Sequence, residues 1–257
     1  MVWMGYNRTG IRKVVLMILY LGDDTIHGAA AYLCGVMKHY GIPFDRVDSG
    51  ASPESVAGYD AYILSDYPAK CFKPGHMEEL RDAVEAGSGL AMFGGWESFH
   101  GRLGEYHESP LAEVLPVSMQ NEDDRRNFSQ PVMVQPCREH PILAGLPWHT
   151  PPFIGGLNQF TPKPDAEVHL EAVRFDVKRG DLVHVTMTES FPLLVAGKYG
   201  KGNVAALATD VAPHWVGGWV DWGTERITQQ TVGDEFIEIG NDYAKFFAQL
   251  VKWVRKG

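Results

Sequence analysis

Cysteine, positive charge and long apolar runs are all scarce in this sequence of 257 residues. Its three cysteines, Cys34, Cys71 and Cys137, include no CxxC pair and are too scattered for a disulfide framework. The 32 acidic residues outnumber the 23 basic ones, and a net charge of −9 without a basic stripe argues against a nucleic-acid partner. No apolar run reaches the ~18 residues of a membrane-spanning helix, so we expect no membrane partner either.

The apolar stretch at 14–21 follows three basic residues and ends in Gly22-Asp23-Asp24. A secretory signal peptide would end in a small-residue cleavage site, which this stretch lacks. We therefore interpret it as a buried strand and expect a cytoplasmic location. With 45% apolar and 21% charged residues, the composition is typical of a globular chain, and the length fits one elaborated α/β domain over 1–257.

Strand and helix signals alternate along the first hundred residues. Apolar runs predict strands at 13–21, 44–47, 59–64 and 90–93. Helical patterns lie between them, one capped by Asp24 or Thr25 and one running from Pro74 to Ala86. Because this alternation is typical of parallel strands joined by crossover helices, it predicts an α/β fold, a three-layer αβα sandwich around a mostly parallel sheet.

The remainder of the chain is richer in β signals. Residues near 102–165 are predicted to be an irregular insertion of strand extensions and long connections. Further strands are predicted at 168–175, 182–186, 193–198 and 204–208, the last two joined as a hairpin at Tyr199-Gly-Lys-Gly202. A Trp- and Gly-rich insert near 215–238 is predicted to be a lid or a dimer contact, and an amphipathic helix is predicted at 243–254.

Polar side chains follow four of the predicted strands, and together they define a candidate ligand site. They are Asp23 and Asp24 after the first strand, Asp66 after the third, Trp96 and Glu97 after the fourth, and the segment from Asp210 to His214 after the last. In an open parallel sheet such positions meet at one edge, where ligands bind. The alternative interpretation is that some of these aspartates only cap helices or form turns.

The segment Gly94-Gly95-Trp96-Glu97-Ser98-Phe99-His100-Gly101 predicts a sharp strand-to-helix turn, because two glycines end an apolar strand there. In hydrolases this turn presents a nucleophilic Ser or Cys. Here its apex falls on Trp96 or Glu97, which carry neither a thiol nor a hydroxyl. Ser98 lies nearby but lacks the flanking glycine pattern. The segment therefore predicts a site without the usual nucleophile.

Several stretches resemble the Cys-less glutamine amidotransferase-like proteins of the class I glutamine amidotransferase-like superfamily. The matching segments span nearly the whole chain and are Leu21-Gly-Asp-Asp24, His27-Gly-Ala-Ala30, Leu64-Ser-Asp66, Phe93-Gly-Gly-Trp-Glu-Ser-Phe-His100, Pro110-Leu-Ala-Glu-Val-Leu-Pro116, His140-Pro-Ile-Leu-Ala-Gly-Leu-Pro147, Tyr199-Gly-Lys-Gly202, Ala208-Thr-Asp210 and Tyr243-Ala-Lys-Phe-Phe-Ala-Gln-Leu-Val-Lys-Trp253. The resemblance implies a flavodoxin-like sheet with extra β-hairpins. It implies no particular reaction, because the family has no agreed one.

Active class I amidotransferases use an elbow cysteine, as thiolate, to attack the glutamine amide, and a histidine from a His-x-Glu pair to move the proton. This chain departs from that pattern at both places. Its elbow has no cysteine, and its late strand is followed by Asp210-Val-Ala-Pro-His214. None of the three cysteines replaces the nucleophile by pattern. The resemblance therefore implies the scaffold without glutaminase activity.

Three functions remain open at this level. The first is a domain that binds a small polar ligand in a pocket formed by Asp23, Asp24, Asp66, Gly95, Trp96, His100 and Asp210. The second is an enzyme of other chemistry, of hydrolase or lyase type, with Glu97 or Asp66 as the acid–base group and His214 or His100 as its partner. The third is a homo-oligomeric structural protein. No cofactor is expected, and without HxH or HExxH spacing no metal site is predicted.

Overall fold

The computed structural model describes residues 17–24, 28–231 and 235–255. Within these ranges, nine strands form one mixed sheet. In order across the sheet they are β2 (Phe44–Val47), β1 (Ile18–Gly22), β3 (Ala61–Ser65), β4 (Gly89–Phe93), β11 (Gly202–Leu207), β10 (Val183–Tyr199), β9 (Glu167–Arg179), β6 (Arg125–Pro136) and β7 (Phe153–Asn158). The first five strands run parallel, and each later neighbouring pair is antiparallel. The α/β class predicted from the sequence is confirmed, with a large central sheet that is parallel over five of its nine strands.

The central parallel strands are fully buried. Every residue of β1, β3, β4 and β11 lies in the interior. Strands covered on both faces need continuous apolar sequence, and this explains the lack of polar alternation that identified them. A strand is predicted at 13–21, and the observed β1 begins at Ile18. Positions 13–16 of the predicted strand lie outside the described residues.

The antiparallel part of the sheet differs from the prediction at β10. The sequence predicts two strands there, at 182–186 and 193–198, but β10 is continuous over 17 residues. Its pairing with β9 passes through β-bulges without ending, so the irregular positions bend the ladder and do not interrupt it. The segment 102–165 contributes β6 and β7 to the sheet, and it also contains a short sheet of β5 (Val117–Met119) and β8 (Phe160–Pro162).

Five α-helices accompany the strands in the described part of the chain: α1 (Ala30–His39), α2 (His76–Ala86), α3 (Pro110–Val114), α4 (Pro213–Val220) and α5 (Asn241–Val254). Helix α1 contacts α5, and α2 contacts α3. The predicted Asp24 cap of α1 is wrong, because the N-cap position is Ala29, which makes no side-chain capping bond; Thr25 lies outside the described residues. Helix α2 begins after Pro74 because Gly75 has a φ of 88°. None of the described helices is long and apolar enough to span a membrane.

The tryptophans of the segment near 215–238 are interior residues. Trp215, Trp219 and Trp222 are buried, and the Trp219 ring lies 4.8 Å from the Phe246 ring of α5. Beyond them, β12 (Arg226–Gln230) and β13 (Phe236–Gly240) form a two-stranded antiparallel sheet. Because their own chain already covers these three rings, the tryptophans pack in the interior; that the insert forms a lid or a dimer contact stays a prediction.

Candidate functional site

A cleft of about 410 Å³ lies at the carboxyl ends of the parallel strands. It is lined by Asp23, Asp24, Ala29, Asp66, Trp96, Glu97, Leu103 and His214. The segments that follow β1, β3, β4 and β11 therefore share one concave surface. Five of the eight lining side chains carry an ionisable carboxyl or imidazole, and no Lys or Arg is among these eight.

The ends of β1 and β3 are locked together by their backbones. Gly22, with a φ of 130°, has no space for a side chain, since a Cβ there would lie 1.7 Å from the carbonyl oxygen of Ser65. The next residue, Asp23, donates its main-chain N–H to the same carbonyl at 2.8 Å. Asp23 and Asp66 both have positive φ, 49° and 44°, a conformation that aspartate tolerates better than most residues. This strained backbone turns both carboxyls toward the cleft.

The loop after β4 holds Asp66 from the other side. Its Oδ1 accepts a hydrogen bond from the Glu97 main-chain N–H at 2.8 Å, and its own main-chain N–H donates to Ser98 Oγ at 3.0 Å. Gly95 is needed at this approach, because a Cβ there would lie 2.0 Å from Asp66 Oδ1. Asn158 of β7 then fixes Gly95 by pairing with its N–H and its carbonyl at 2.8 and 3.1 Å.

The predicted strand-to-helix turn with its apex at Trp96 or Glu97 is wrong. No α-helix follows β4 directly; the chain passes through turns and bends to α3, which begins at Pro110. Among the described non-glycine residues, positive φ occurs at Asp23, Asp66, Phe99 and Glu105, and not at Trp96 or Glu97. The glycines of this segment serve the contact with Asp66 and do not place a side chain at the apex of a strand-to-helix turn.

Three carboxyls lie close together at the site: Asp23 and Asp66 line the cleft, whereas Asp210, predicted as a pocket residue, is not among the lining residues. Asp23 is 1% exposed and Asp210 is fully buried. Burial, with a smaller contribution from the charge of Asp210, raises the pKa of Asp23 to about 8. Burial and the nearby Asp23 likewise raise the pKa of Asp66 to about 8, and burial and Asp66 hold the pKa of Asp210 well above its usual range. The cluster therefore retains protons near neutral pH, because three close carboxylates cannot all ionise.

Hydrogen bonds to Asp23 oppose the effect of burial on its pKa, because they favour the charged form. The Tyr20 hydroxyl donates to Asp23 Oδ2, and this bond, like that of Ser65, lowers the carboxyl pKa. Arg46 donates to the main-chain carbonyl of Asp23 at 2.7 Å and also lowers its pKa by its charge. The net shift is still upward because desolvation is the largest cause.

Asp210 and His214 form a pair at the start of α4. Asp210 Oδ1 accepts the main-chain N–H of Ala212 at 3.0 Å, and its Oδ2 lies 3.0 Å from His214 Nδ1. The His214 side chain is half-exposed and lines the cleft. Burial lowers the pKa of His214, so the imidazole is mostly neutral at pH 7 and can accept a proton. The buried Asp210 anchors a histidine that faces the ligand space.

Trp96 and Glu97 form the outer wall of the cleft. Trp96 is 46% exposed, and the Arg125 guanidinium lies 4.4 Å from its ring centroid. Arg125 is itself bound to Asp123, with Nε 2.8 Å from Oδ1. Glu97 Oε2 accepts a hydrogen bond from Ser49 Oγ at 2.9 Å. The wall therefore combines an aromatic surface with a carboxylate that faces open space.

His100 lies behind the loop and is not among the residues that line the cleft. Its main-chain N–H donates to Asp124 Oδ2 at 3.0 Å, and its ring lies 4.5 Å from the ring of His107. Asp124, buried and bonded also to Asn158 Nδ2 at 2.7 Å, braces the loop. Sequence reasoning missed Asp124 and Asn158, since neither follows a parallel strand.

A second cleft, of about 690 Å³, lies elsewhere on the surface. It is lined by Pro136, Cys137, Arg138, Glu139, His140, Pro141, Leu143, Ala144 and Trp148. Although larger, it lacks a set of converging buried carboxyls, so we regard the smaller cleft as the candidate site. In the described part of the chain, no group of three or more His, Cys, Asp or Glu side chains has the geometry to hold a metal ion.

The family assignment follows from sequence comparison. A family model described as "Putative glutamine amidotransferase" matches residues 51–231, which is more than half of the chain. The chain belongs to this glutamine amidotransferase-like family. No curated protein matches the sequence.

Solved structures also resemble the chain. Two cytoplasmic proteins of Salmonella typhimurium, STM3548 and STM1381, are each 25% identical to the chain with a TM-score of 0.72, and the matches cover 93% of this chain and 99% of each of theirs. A ThuA-like protein from Bacteroides uniformis is 15% identical, with a TM-score of 0.54 over 93% of this chain and 91% of that one. This last likeness shows a shared fold.

Two of the three cysteines, Cys34 and Cys137, lie in surroundings that disfavour a thiolate. Cys34 is buried in α1, and burial raises the pKa of its thiol to about 12. Burial also raises the pKa of the Cys137 thiol to about 11, and Cys137 lines the other cleft. Cys71 ends a short 3₁₀ turn at Ala69–Cys71 and is absent from the residues that line the candidate site. A glutaminase nucleophile must ionise readily, and the surroundings of Cys34 and Cys137 oppose ionisation.

Proposed function

We propose that the cleft at the carboxyl edge of the sheet binds a small polar ligand and that the protein does not hydrolyse glutamine. The observation that carries the proposal is that Asp23, Asp66 and Glu97 line one concave surface, with the buried Asp210 close enough to Asp66 for their charges to interact. Burying carboxyl groups costs stability, and carboxyls with shifted pKa values in a cleft are typical of functional sites. The intact scaffold of an amidotransferase-like family supports a ligand site at this edge.

The composition of the cleft indicates which ligands it favours. Carboxyl groups accept hydrogen bonds when ionised and can also donate when protonated. Since no Lys or Arg is among the described residues that line the cleft, an anion would meet only negative or neutral groups there. Ala29, Leu103 and the Trp96 ring supply apolar surface for a carbon skeleton. The ligand class is therefore a neutral or cationic molecule with several hydrogen-bond donors.

A thermal-shift screen tests this function. Neutral polyols, amides and amines at millimolar concentration are compared with matched carboxylates and phosphates, and we expect stabilisation only by members of the first group. Glu97→Ala removes a carboxylate from the wall, whereas Glu108→Ala removes an exposed one from the same segment. Stabilisation by anions alone, or an equal response of both variants, would contradict the proposal.

A second candidate is an enzyme of hydrolase or lyase type. The geometry that favours it is the 3.0 Å approach of His214 to Asp210 beside Asp66, whose pKa of about 8 suits proton transfer near neutrality. Glu97 lines the same cleft and is the alternative acid–base group, while His100 is not among the lining residues. Activity in an ester, amide or glycoside screen that His214→Ala abolishes and His149→Ala preserves would establish this function. Turnover equal in both variants would exclude His214.

The cellular setting belongs to the same proposal. Both Salmonella proteins of 25% identity are described as cytoplasmic, which supports a cytoplasmic location for this chain. The net charge of −9 supports a small-molecule partner without nucleic acid, and we propose no membrane partner. Fractionation of cells that express the tagged chain tests the location, which a membrane or secreted fraction would contradict.

The finer architecture is also proposed. Contacts of α1 with α5, and separately of α2 with α3, support two helical layers that enclose the sheet as a three-layer sandwich. We also propose that the turn of β10 into β11 and the pair β12–β13 correspond to the extra β-hairpins that the family resemblance implies. All of these elements are proposed to form a single domain, which predicts one cooperative unfolding transition in urea.

A further inference from the structure

Strands β9 and β10 extend together into a two-stranded arm, residues 174–189. Leu194 of β10 pairs with Leu207, the last residue of β11, so the earlier residues of β10 run past the carboxyl edge of the parallel strands. Beyond Val173, β9 has no further pairing with β6 in the described structure. The arm is about 20 Å long, from its six to seven residues per strand at ~3.3 Å each. It projects from the same edge of the sheet that holds the cleft.

The two faces of this arm differ in chemistry. Directly paired residues share a face, and the pairs Val185 with Val177 and Met187 with Phe175 place four apolar side chains on one side. Val183 continues this face at the tip of the arm, where it pairs with Arg179. The opposite face carries the pairs His184 with Lys178 and Thr186 with Asp176. The alternation is that of a strand pair with one buried face and one solvated face.

The apolar face is not covered by its own chain. Val183 is 66% exposed, Val185 55% and Val177 54%, and Met187 is also exposed. An isolated two-stranded hairpin is at best marginally stable in water, and exposed apolar patches usually mark interaction sites. This face therefore has the character of an interface.

The size of the face fits association with an equal face. With the neighbouring Phe153, whose ring centroid lies 6.0 Å from that of Phe175, it exposes on the order of 500 Å² of apolar surface, the upper range for a monomer. Two such faces together would bury about 1,000 Å², which meets the lower limit for a specific protein interface. A two-fold axis brings the same patch of two copies together and closes the assembly.

The charge of the arm also permits self-association. The chain carries a net charge of −9, so most of its surface repels a second copy. Residues 174–189 contain three basic and three acidic side chains and are neutral overall: Arg174, Lys178, Arg179, Asp176, Asp181 and Glu189. Two of these are already paired at the base, where Arg174 lies 3.2 Å from Glu189. Two arms can therefore approach without net repulsion.

We infer that the arm is a dimerisation element and that its apolar face packs against the same face of a second copy of this chain. The contact buries Val177, Val183, Val185 and Met187 of both copies. It lies beyond the carboxyl edge of each sheet and leaves the interior tryptophans of α4 uninvolved.

Sedimentation velocity on the full chain, across a wide concentration range, tests the inference. The double variant Val183→Glu/Val185→Glu adds two charges to the apolar face of β10. The control His184→Glu/Thr186→Glu adds two charges to the opposite face of the same strand. We expect a dimer for the wild type and the control, and a monomer for the apolar-face variant. The Kd of dimer dissociation should rise at least a hundredfold in that variant. Val177→Glu on the partner strand repeats the test independently of β10.

Circular dichroism separates loss of the interface from loss of the fold, and the monomeric variants should unfold in urea as cooperatively as the control. A wild type that is monomeric at all concentrations would overturn the inference. A dimer that persists in all apolar-face variants would also overturn it, because the contact would then lie elsewhere. Equal dissociation of the control and the apolar-face variant would show that the face has no specific role.

Discussion

The main-chain N–H of Glu97 donates a 2.8 Å hydrogen bond to Oδ1 of Asp66. This bond joins the loop after β4 to the end of β3, and it holds a buried carboxyl at the centre of the cleft. Because Gly95 allows the approach and Asn158 fixes Gly95, the position of Asp66 depends on both the parallel and the antiparallel parts of the sheet.

Gly95→Ala should destabilise the protein. A Cβ at this position would lie 2.0 Å from Asp66 Oδ1, so the loop or the carboxyl must move. We expect a loss of roughly 2–3 kcal/mol in the free energy of unfolding, the usual range for overpacking at a closed site. Urea denaturation measures it. Gly217→Ala is the matched control, since a Cβ there meets nothing within 4 Å, and it should be neutral or slightly stabilising. Equal effects of the two substitutions would contradict this role of Gly95.

The stability of the protein should fall as the pH rises from about 4 to about 8. Asp23 and Asp66 have a pKa of about 8 in the folded state, and an unfolded aspartate has one near ~3.9, so the native state binds more protons between these values. Stability then decreases with pH, by on the order of 1 kcal/mol per pH unit for each retained proton.

The substitution Asp66→Asn should remove part of that slope. Asparagine keeps an oxygen that can accept the Glu97 N–H but does not ionise. Asp82→Asn, at an exposed position on α2, is the control and should leave the slope unchanged. Urea unfolding at a series of pH values provides the comparison. A stability that rises between pH 5 and pH 8 would show that these carboxyls ionise readily in the folded protein.

His214 should titrate below the usual histidine range. Burial lowers its pKa from 6.5, and an Asp210 that retains its proton adds no negative charge to oppose the shift. Proton NMR of the imidazole resonances should give a midpoint below 6.5 for His214. If the His214 midpoint lies above 6.5, Asp210 is ionised and the shared protonation of the cluster is incorrect.

A glutamine-derived electrophile should leave the cysteines unmodified. Burial raises the pKa of Cys34 to about 12 and that of Cys137 to about 11, so the thiolate fraction at pH 7 is very small. Mass spectrometry after incubation with a diazoketone analogue of glutamine should show no adduct on these two residues. An active amidotransferase that is labelled under the same conditions serves as the positive control. A stoichiometric adduct on Cys34 would restore glutaminase chemistry as a candidate.

The fold is predictable to the extent that burial determines local sequence. β1, β3 and β4 are apolar throughout because helices and neighbouring strands exclude water from both faces, and the sequence carries that constraint directly. The continuity of β10 is less predictable, because its outer half is exposed and pairs only with β9. There the strand depends on pairing with a partner that local pattern does not identify.

The candidate site is predictable in part for a similar reason. Asp23, Asp66 and Glu97 follow parallel strands, so strand order alone brings them near one edge. The absence of an elbow at Trp96 is a different matter. It depends on the contact between Gly95 and Asp66 and on the Asp124–Asn158 brace, which join segments distant in sequence. Two glycines after a strand fit either arrangement, and the sequence carries no local signal that separates them.

The proposed function requires that the ligand binds in the smaller cleft, which Asp66 and Glu97 line. It is tested most directly by amide NMR of the labelled chain during titration with the neutral or cationic compound that stabilises it most. We expect chemical-shift changes at the amides of Asp66, Gly95 and Glu97. The Kd of the compound should be at least tenfold higher for Glu97→Ala than for Glu108→Ala. Shift changes confined to residues 136–148 around the larger cleft, with the same Kd in both variants, would contradict it.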